Sequence, residues 1–241
     1  MKVELIDCTD DGINKIARLA RSTRMNSLEE EPDEIAEFIR NEDGTSEIVW
    51  SEEYIEWQKK NEKFVRELIK VQHLGVLEHI NFTFHISEIS RVTTHQLVRH
   101  RLASYLQMSS RHAKPNKDGY IMPPSCKTPD DWEDEKCDSH EIFEWEMKHA
   151  YLAYEDLLAH HIPVEDARYV LPPAFFTHIS MTCNARTLLH FLELRLAKGA
   201  QWEVKEMAIR IYDIVYNIYP ILFDDLKDLR DSAVCDINYK E

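Results

Sequence analysis

Ile13, Ile16, Ala17, Leu19 and Ala20 recur at helical spacing behind Asp10 or Asp11 as a cap, which predicts a first helix. A longer helix is expected over Glu52 to Gln72. The period then changes. Ile80, Phe82, Phe84 and Ile86 alternate with Asn81, Thr83 and His85, the pattern of a half-buried strand. Ser90 can cap a short helix ending near His100. Ser139 can cap a long one whose inner side carries Ile142, Phe143, Met147, Ala150, Tyr151, Tyr154, Leu157 and Leu158. Pro163 opens a helix through Arg168, at a position where proline is tolerated, and Pro172–Pro173 ends it. Ala174 to Thr182 reads as a strand. Two further helices are expected over Ala185 to Lys198 and Gln201 to Tyr219, with Gly199 as the break. The sum is an α+β fold with more helix than sheet.

Two stretches interrupt this pattern and read as surface excursions. One is 27–53, where eleven acids fall between Glu29 and Glu53, and the other is 114–139, rich in Pro, Asp and Lys. The 241 residues otherwise read as one domain, 1–241. A net charge of −15 argues against a general binder of nucleic acid or membrane surfaces. The five glycines, at 12, 44, 75, 119 and 199, never fall within one phosphate-cradling loop, which excludes a GxGxxG or Walker motif. Any phosphate must be held by side chains or helix N-termini. Five cysteines without a CxxC pair point neither to a disulfide framework nor to a zinc site, and no metal is expected. The opening MKVELID has no apolar signal core and no stretch approaches a membrane span, so a cytoplasmic location is expected.

Positive charge is concentrated. Arg91 to Lys114 holds five Lys or Arg, three His and no acid, and Ala167 to Trp202 has Arg168, Arg186, Arg195 and Lys198 against Glu193 alone. Arginine suits bidentate recognition of phosphate or carboxylate, so these stretches point to an anion site; arginines paired with acids elsewhere are the alternative. Along Ala185 to Lys198, leucines and Phe191 cover nearly the whole circumference, which predicts a helix buried on all sides. Arg186 and Arg195 point to opposite faces of it, while Arg186 and His190 share one. Such a helix is expected to lie between two sites, as at a subunit interface.

Arg99-His100-Arg101, followed after seven residues by Ser109, resembles the RHRx7S motif of the flavin-dependent thymidylate synthases. Gln96 stands three before Arg99 and Arg111 two after Ser109, as in that family. His73 with Val76 to His79 is similar to its GHxSxLEH segment. Glu165-x-Ala167-Arg168 with Val170 to Pro172, Asn184-Ala185-Arg186, Leu194-Arg195 and Gln201-Trp202-Glu203 follow in the family's order. The resemblance spans about 70 to 223.

It implies a central, mainly antiparallel sheet flanked by helices, in a homotetramer whose active sites are shared between subunits. It implies FAD as cofactor, with NADPH and methylenetetrahydrofolate as co-substrates, in converting dUMP to dTMP without an enzyme cysteine as nucleophile. Cys183 then reads as a small buried hydrophobe. The dUMP site would comprise Gln96, Arg99, Gln107, Met108, Ser109, Ser110, Arg111, Arg168 and Arg195, with Arg111, Arg168 and Ser109 on the phosphate. Arg195 would lie against the uracil as the catalytic residue. The FAD site would comprise His73, Gly75, Arg99, His100, Arg101, Gln107, Asn184, Arg186 and His190. The chain departs from the family pattern at Leu106, Gln107, His112, His190 and Gly199. The phosphate arginines and Arg195 are all present, so the nucleotide site is the better matched. Two other readings stay open: an FAD- and pyrimidine-nucleotide-binding relative with a different one-carbon transfer or nucleotide specificity, and a nucleic-acid binder using Arg91 to Lys114. The net charge weighs against the latter.

Overall fold

A computed structural model describes residues 1–25, 27, 28, 30–32, 36–40, 46–126 and 139–238. The elements are β1 (Lys2–Cys8), α1 (Gly12–Ser22), β2 (Ala36–Arg40), β3 (Ser46–Trp50), α2 (Glu52–Lys70), β4 (Asn81–Ser90), α3 (Arg91–Leu97) and β5 (Ala103–Gln107). They continue through α4 (Ser139–Ala159), α5 (Val164–Ala167), β6 (Phe176–Asn184), α6 (Ala185–Arg195), α7 (Trp202–Ile218), α8 (Pro220–Phe223) and α9 (Lys227–Asn238). Four strands form an antiparallel sheet in the order β1-β4-β6-β5, and helices flank it as an α+β fold requires.

Alternation in β4 sets the layering. Phe82, Phe84 and Ile86 are fully buried, and Ile179, Met181 and Cys183 of β6 join them on the inner face. Burying a side chain of this size stabilises the fold by about 1.5–3 kcal/mol. α7 closes the layer with Val204, Met207, Ala208, Ile211 and Val215, all fully buried. The N-terminus of α1 is fixed from the far end of the chain, because Gly12 N donates to Tyr219 Oη at 3.0 Å and that hydroxyl donates to Thr9 O. A Cβ on Gly12 would sit 3.0 Å from both Ile80 Cδ1 and Tyr219 Oη, so a larger residue would have to push one of them aside.

Several sequence expectations shift. β4 begins at Asn81, one residue later than expected, and runs on to Ser90, with a bulge between Ile86 and Ile89 where Glu88 takes a positive φ of 56°. β6 starts and ends two residues late, because Phe175 is still held in a turn by its N–H to Pro172 O. α2 stops at Lys70, short of Gln72, which adopts φ 62°. Pro163 sits at the N-cap position rather than inside its helix. Asp11 occupies the N-cap position of α1, but its carboxylate accepts from the Asn14 side chain rather than from the helix backbone. Ile142 faces outward on α4, whose buried residues are Met147 and Tyr154. Within the expected excursion 27–53, β2 and β3 form a two-stranded antiparallel ladder. Residues 127–138 of the expected excursion 114–139 lie outside the described residues.

Within the protomer α6 is buried along one side only, not on all sides. Ala185, Leu188, Phe191 and Leu192 face the core, whereas Leu194 is 48% exposed and Arg186, His190 and Glu193 lie at the surface of the protomer. The core has room for one stripe of the helix only. Among the described residues no helix is long and apolar enough to cross a membrane.

Candidate active site

α3 carries the first group of functional side chains. Its cap is Ser90, whose Oγ accepts from Thr93 N at 3.2 Å, as its sequence position predicts. Arg91 follows immediately, with its N–H donating to Pro173 O at 2.8 Å. Among the described residues the buried Arg91 Nη2 atom has no hydrogen-bond partner, and burial, then the nearby Arg168, press this guanidinium below its ordinary pKa. Arg168 follows α5 and donates from Nη1 to Ser110 Oγ at 2.6 Å and from Nε to Glu165 O at 3.0 Å. Arg111 N donates to Ser109 Oγ at 3.3 Å, and Arg111 Nε lies 3.7 Å from Glu165 Oε2. Arg168 thus lies beside Arg91 and Ser110, and Arg111 lies beside Ser109 and the Glu165 carboxylate. That excess of cationic donors suits a phosphate-type anion.

The second group surrounds the end of α6. Arg195 donates from Nε to His100 Nε2 at 3.1 Å, from Nη1 to Gln96 Oε1 at 3.3 Å and from Nη2 to Gln96 O at 3.5 Å. These acceptors are all neutral, so they orient the guanidinium without cancelling its charge. Burial, and then the proximity of Arg99, press its pKa downward. Burial, followed by Arg195 and His190, pushes His100 down to about 4. The imidazole is therefore neutral at pH 7, with its proton assigned to Nδ1 because Nε2 accepts. His190 and Phe191 pack edge-on to it, with ring centroids 6.4 and 5.0 Å away. Arg99 donates from Nε to His95 O at 3.3 Å, and Arg101 is exposed on the following turn. Gln107 joins β5 to the two neighbouring elements, donating from Nε2 to Thr94 Oγ1 at 3.1 Å and Thr177 Oγ1 at 3.3 Å. Met108 N donates to His178 O.

The third group lies at the turn Leu74–His79. His73 and Gly75 line a cavity of about 490 Å³ together with Leu19, Phe64, Leu68 and Val76. Arg21, Arg24 and His79 also line it, and among the described residues the lining contains no carboxylate. Asn184 caps α6 by accepting from Thr187 N at 2.9 Å, and Arg186 pairs with Glu78 Oε1 at 2.6 Å on the same turn as Gly75. Arg186 and Glu78 are about half exposed in the protomer, so this pair is solvated there. Within one protomer the predicted residues therefore gather in three places, with Gln107 beside the first two. Sequence reasoning missed Arg91. It sits in the acid-free stretch directly after a capping serine, and that position was the available signal. Cys183 is 4% exposed and burial pushes its thiol up to about 12, in keeping with a packing role.

The pattern of the family described as thymidylate synthase complementing protein matches residues 4–221, and the chain belongs to that family. Among its relatives, the flavin-dependent thymidylate synthase of Saccharolobus solfataricus is 46% identical over 164 residues, covering 67% of this chain and 60% of that protein. The protein of the same name from Sulfurisphaera tokodaii is 44% identical with the same coverage. That of Geobacter sulfurreducens is 40% identical over 164 residues, covering 67% of this chain and 68% of that protein. The chain spans about 60% of the length of the Saccharolobus and Sulfurisphaera relatives it matches.

Proposed function

We propose that the protein is a flavin-dependent thymidylate synthase that converts dUMP to dTMP, with methylenetetrahydrofolate as one-carbon donor and NADPH as reductant. The observation that carries this reading is the pairing of a guanidinium cluster around Ser109 and Ser110 with an arginine, Arg195, held only by neutral acceptors. A nucleotide monophosphate offers one anion for each: a phosphate for Arg91, Arg111 and Arg168, and a ring that becomes anionic for Arg195. Gln96, Arg99, Gln107 and Met108 would line the nucleoside between them.

Arg195 is not the general base, because a guanidinium titrates above about 12. Its role is to stabilise negative charge on N3 and the carbonyl oxygens of uracil as C5 becomes nucleophilic. Ser109 is not assigned as a nucleophile, since its hydroxyl accepts from Arg111 N and no base is bonded to it among the described residues.

The cavity at His73 and Gly75 fits part of an FAD. Its apolar walls suit a flat ring, and its cationic rim, with no carboxylate among the described residues, suits a diphosphate. His73, Gly75, Arg99, His100, Arg101, Gln107, Asn184, Arg186 and His190 would hold the cofactor. Bound FAD would supply the hydride, taken from NADPH, that turns the transferred methylene into a methyl group.

The protein would act as a single domain assembled into a cytoplasmic homotetramer. Leu102, Leu106 and Tyr169 are 81%, 77% and 84% exposed beside Arg101, Gln107 and Arg168, which supports completion of the site by a second protomer. The test is tritium release from C5-labelled dUMP with methylenetetrahydrofolate, NADPH and FAD. Release is expected, and Arg195→Ala should abolish most of it while retaining FAD. Protein that binds FAD and dUMP but releases no tritium would overturn the assignment in favour of a relative with a different transfer.

A further inference from the structure

Glu203 lies in the first turn of α7 and is 2% exposed. Both of its carboxylate oxygens are used by one residue. Ser90 N donates to Oε1 at 2.7 Å and Ser90 Oγ donates to Oε2 at 2.6 Å. These short, charge-assisted bonds are stronger than those a neutral acceptor would make. They also fix a direction. With its proton committed to Glu203, the Ser90 hydroxyl can only accept from Thr93 N, which is the bond that caps α3. A serine cap alone would leave α3 free to rock on the sheet, whereas this clamp ties its first turn to the most buried helix of the core. Gln201 caps α7 itself through Val204 N at 3.0 Å, so the clamp stands on a fixed helix end. On the other side, Arg91 N is held by Pro173 O.

We propose that Glu203 is a positioning residue for nucleotide binding. It acts through Ser90 to hold α3, so that Arg91 at one end and Gln96 near the other meet the phosphate and the base in fixed register. This rests on the reading of the Arg91–Arg168 cluster as the phosphate site. Glu203 touches neither ligand. Its carboxylate sets where two contacting side chains start from, over a helix of seven residues.

The experiment uses the FAD-loaded protein and measures dUMP affinity, FAD content and the KM and kcat of tritium release. In Glu203→Gln the amide oxygen can still accept from Ser90 N, but the amide nitrogen donates, so Ser90 Oγ must accept from it and the charge-assisted bond that fixes the hydroxyl's direction is lost. Affinity for dUMP should fall at least tenfold, with KM rising in parallel, kcat within threefold and FAD content within twofold of the parent. Ser90→Ala should lose affinity to a similar degree, and adding it to Glu203→Gln should cost less than a further twofold, because the pair acts as a unit. Ser90→Thr, which keeps the hydroxyl, should remain within twofold of the parent. Parental dUMP affinity in Glu203→Gln, or equal loss of FAD and dUMP, would overturn the proposal. If Glu203→Gln does not fold, parental affinity in Ser90→Ala overturns it instead. Arg168→Ala separates the two claims: unchanged dUMP affinity there would fail the phosphate site itself, whatever Glu203 does.

Discussion

His100 offers the sharpest test of how Arg195 is held. Its pKa falls from 6.5 to about 4, with burial as the largest cause and Arg195 the second. Arg195 is the second cause after burial, so Arg195→Ala should raise the His100 pKa part of the way back, leaving it below 6.5 because burial remains. Following the His100 ring protons by NMR from pH 3 to 8 measures both proteins directly. The sign of the linked stability follows. Because the folded-state pKa lies below the unfolded one, the unfolded chain binds the extra proton first, so this group's contribution is complete above about 6.5 and is lost as pH falls toward 4. Activity should show the same limit. Once Nε2 is protonated it can no longer accept from Arg195, so tritium release should stay level to about pH 5 and fall near 4. His100→Gln, which can offer a neutral acceptor, should remove His100's contribution to that limb. A wild-type His100 titrating at 6.5, or one unmoved by Arg195→Ala, would refute the reasoning.

Arg168→Ala should weaken dUMP by about tenfold to a hundredfold, the value of a charge-assisted contact of about 1.5–3 kcal/mol. Deoxyuridine should be almost unaffected, and equal weakening of both by calorimetry would remove Arg168 from the phosphate. Tyr219→Phe leaves the buried Gly12 N–H and Thr9 carbonyl without their shared hydroxyl, which should cost about 1–3 kcal/mol. Thermal unfolding should then come roughly 2–10 °C lower, with FAD content unchanged.

The legible parts of the fold were those where burial is one-sided. β4 and α7 each bury a clean stripe, so their periods survive in the sequence. β1 and β5 went unread because each is short and lies at an edge of the sheet, where outward positions such as Ile6 and Leu106 carry apolar residues and blur the alternation. α8 and α9 follow Pro220, beyond the last helix expected. At the candidate site, motif spacing singled out Arg99, Ser109, Arg111 and Arg195, yet it could not say which guanidinium meets which acid. Arg186 finds Glu78 over 108 positions and Glu203 finds Ser90 over 113, contacts that no local period encodes.

Among the described residues, Arg91 Nη2 has no hydrogen-bond partner and lies near a second cation, Arg168. Shutting a donor away from solvent in this way costs about 1–3 kcal/mol. Whatever small oxyanion enters that corner relieves it, whether or not a nucleoside is attached. On the proposed reading, inorganic phosphate or sulfate in a buffer should therefore compete with dUMP at the same corner, and kinetic constants gathered in such buffers would understate the affinity for dUMP.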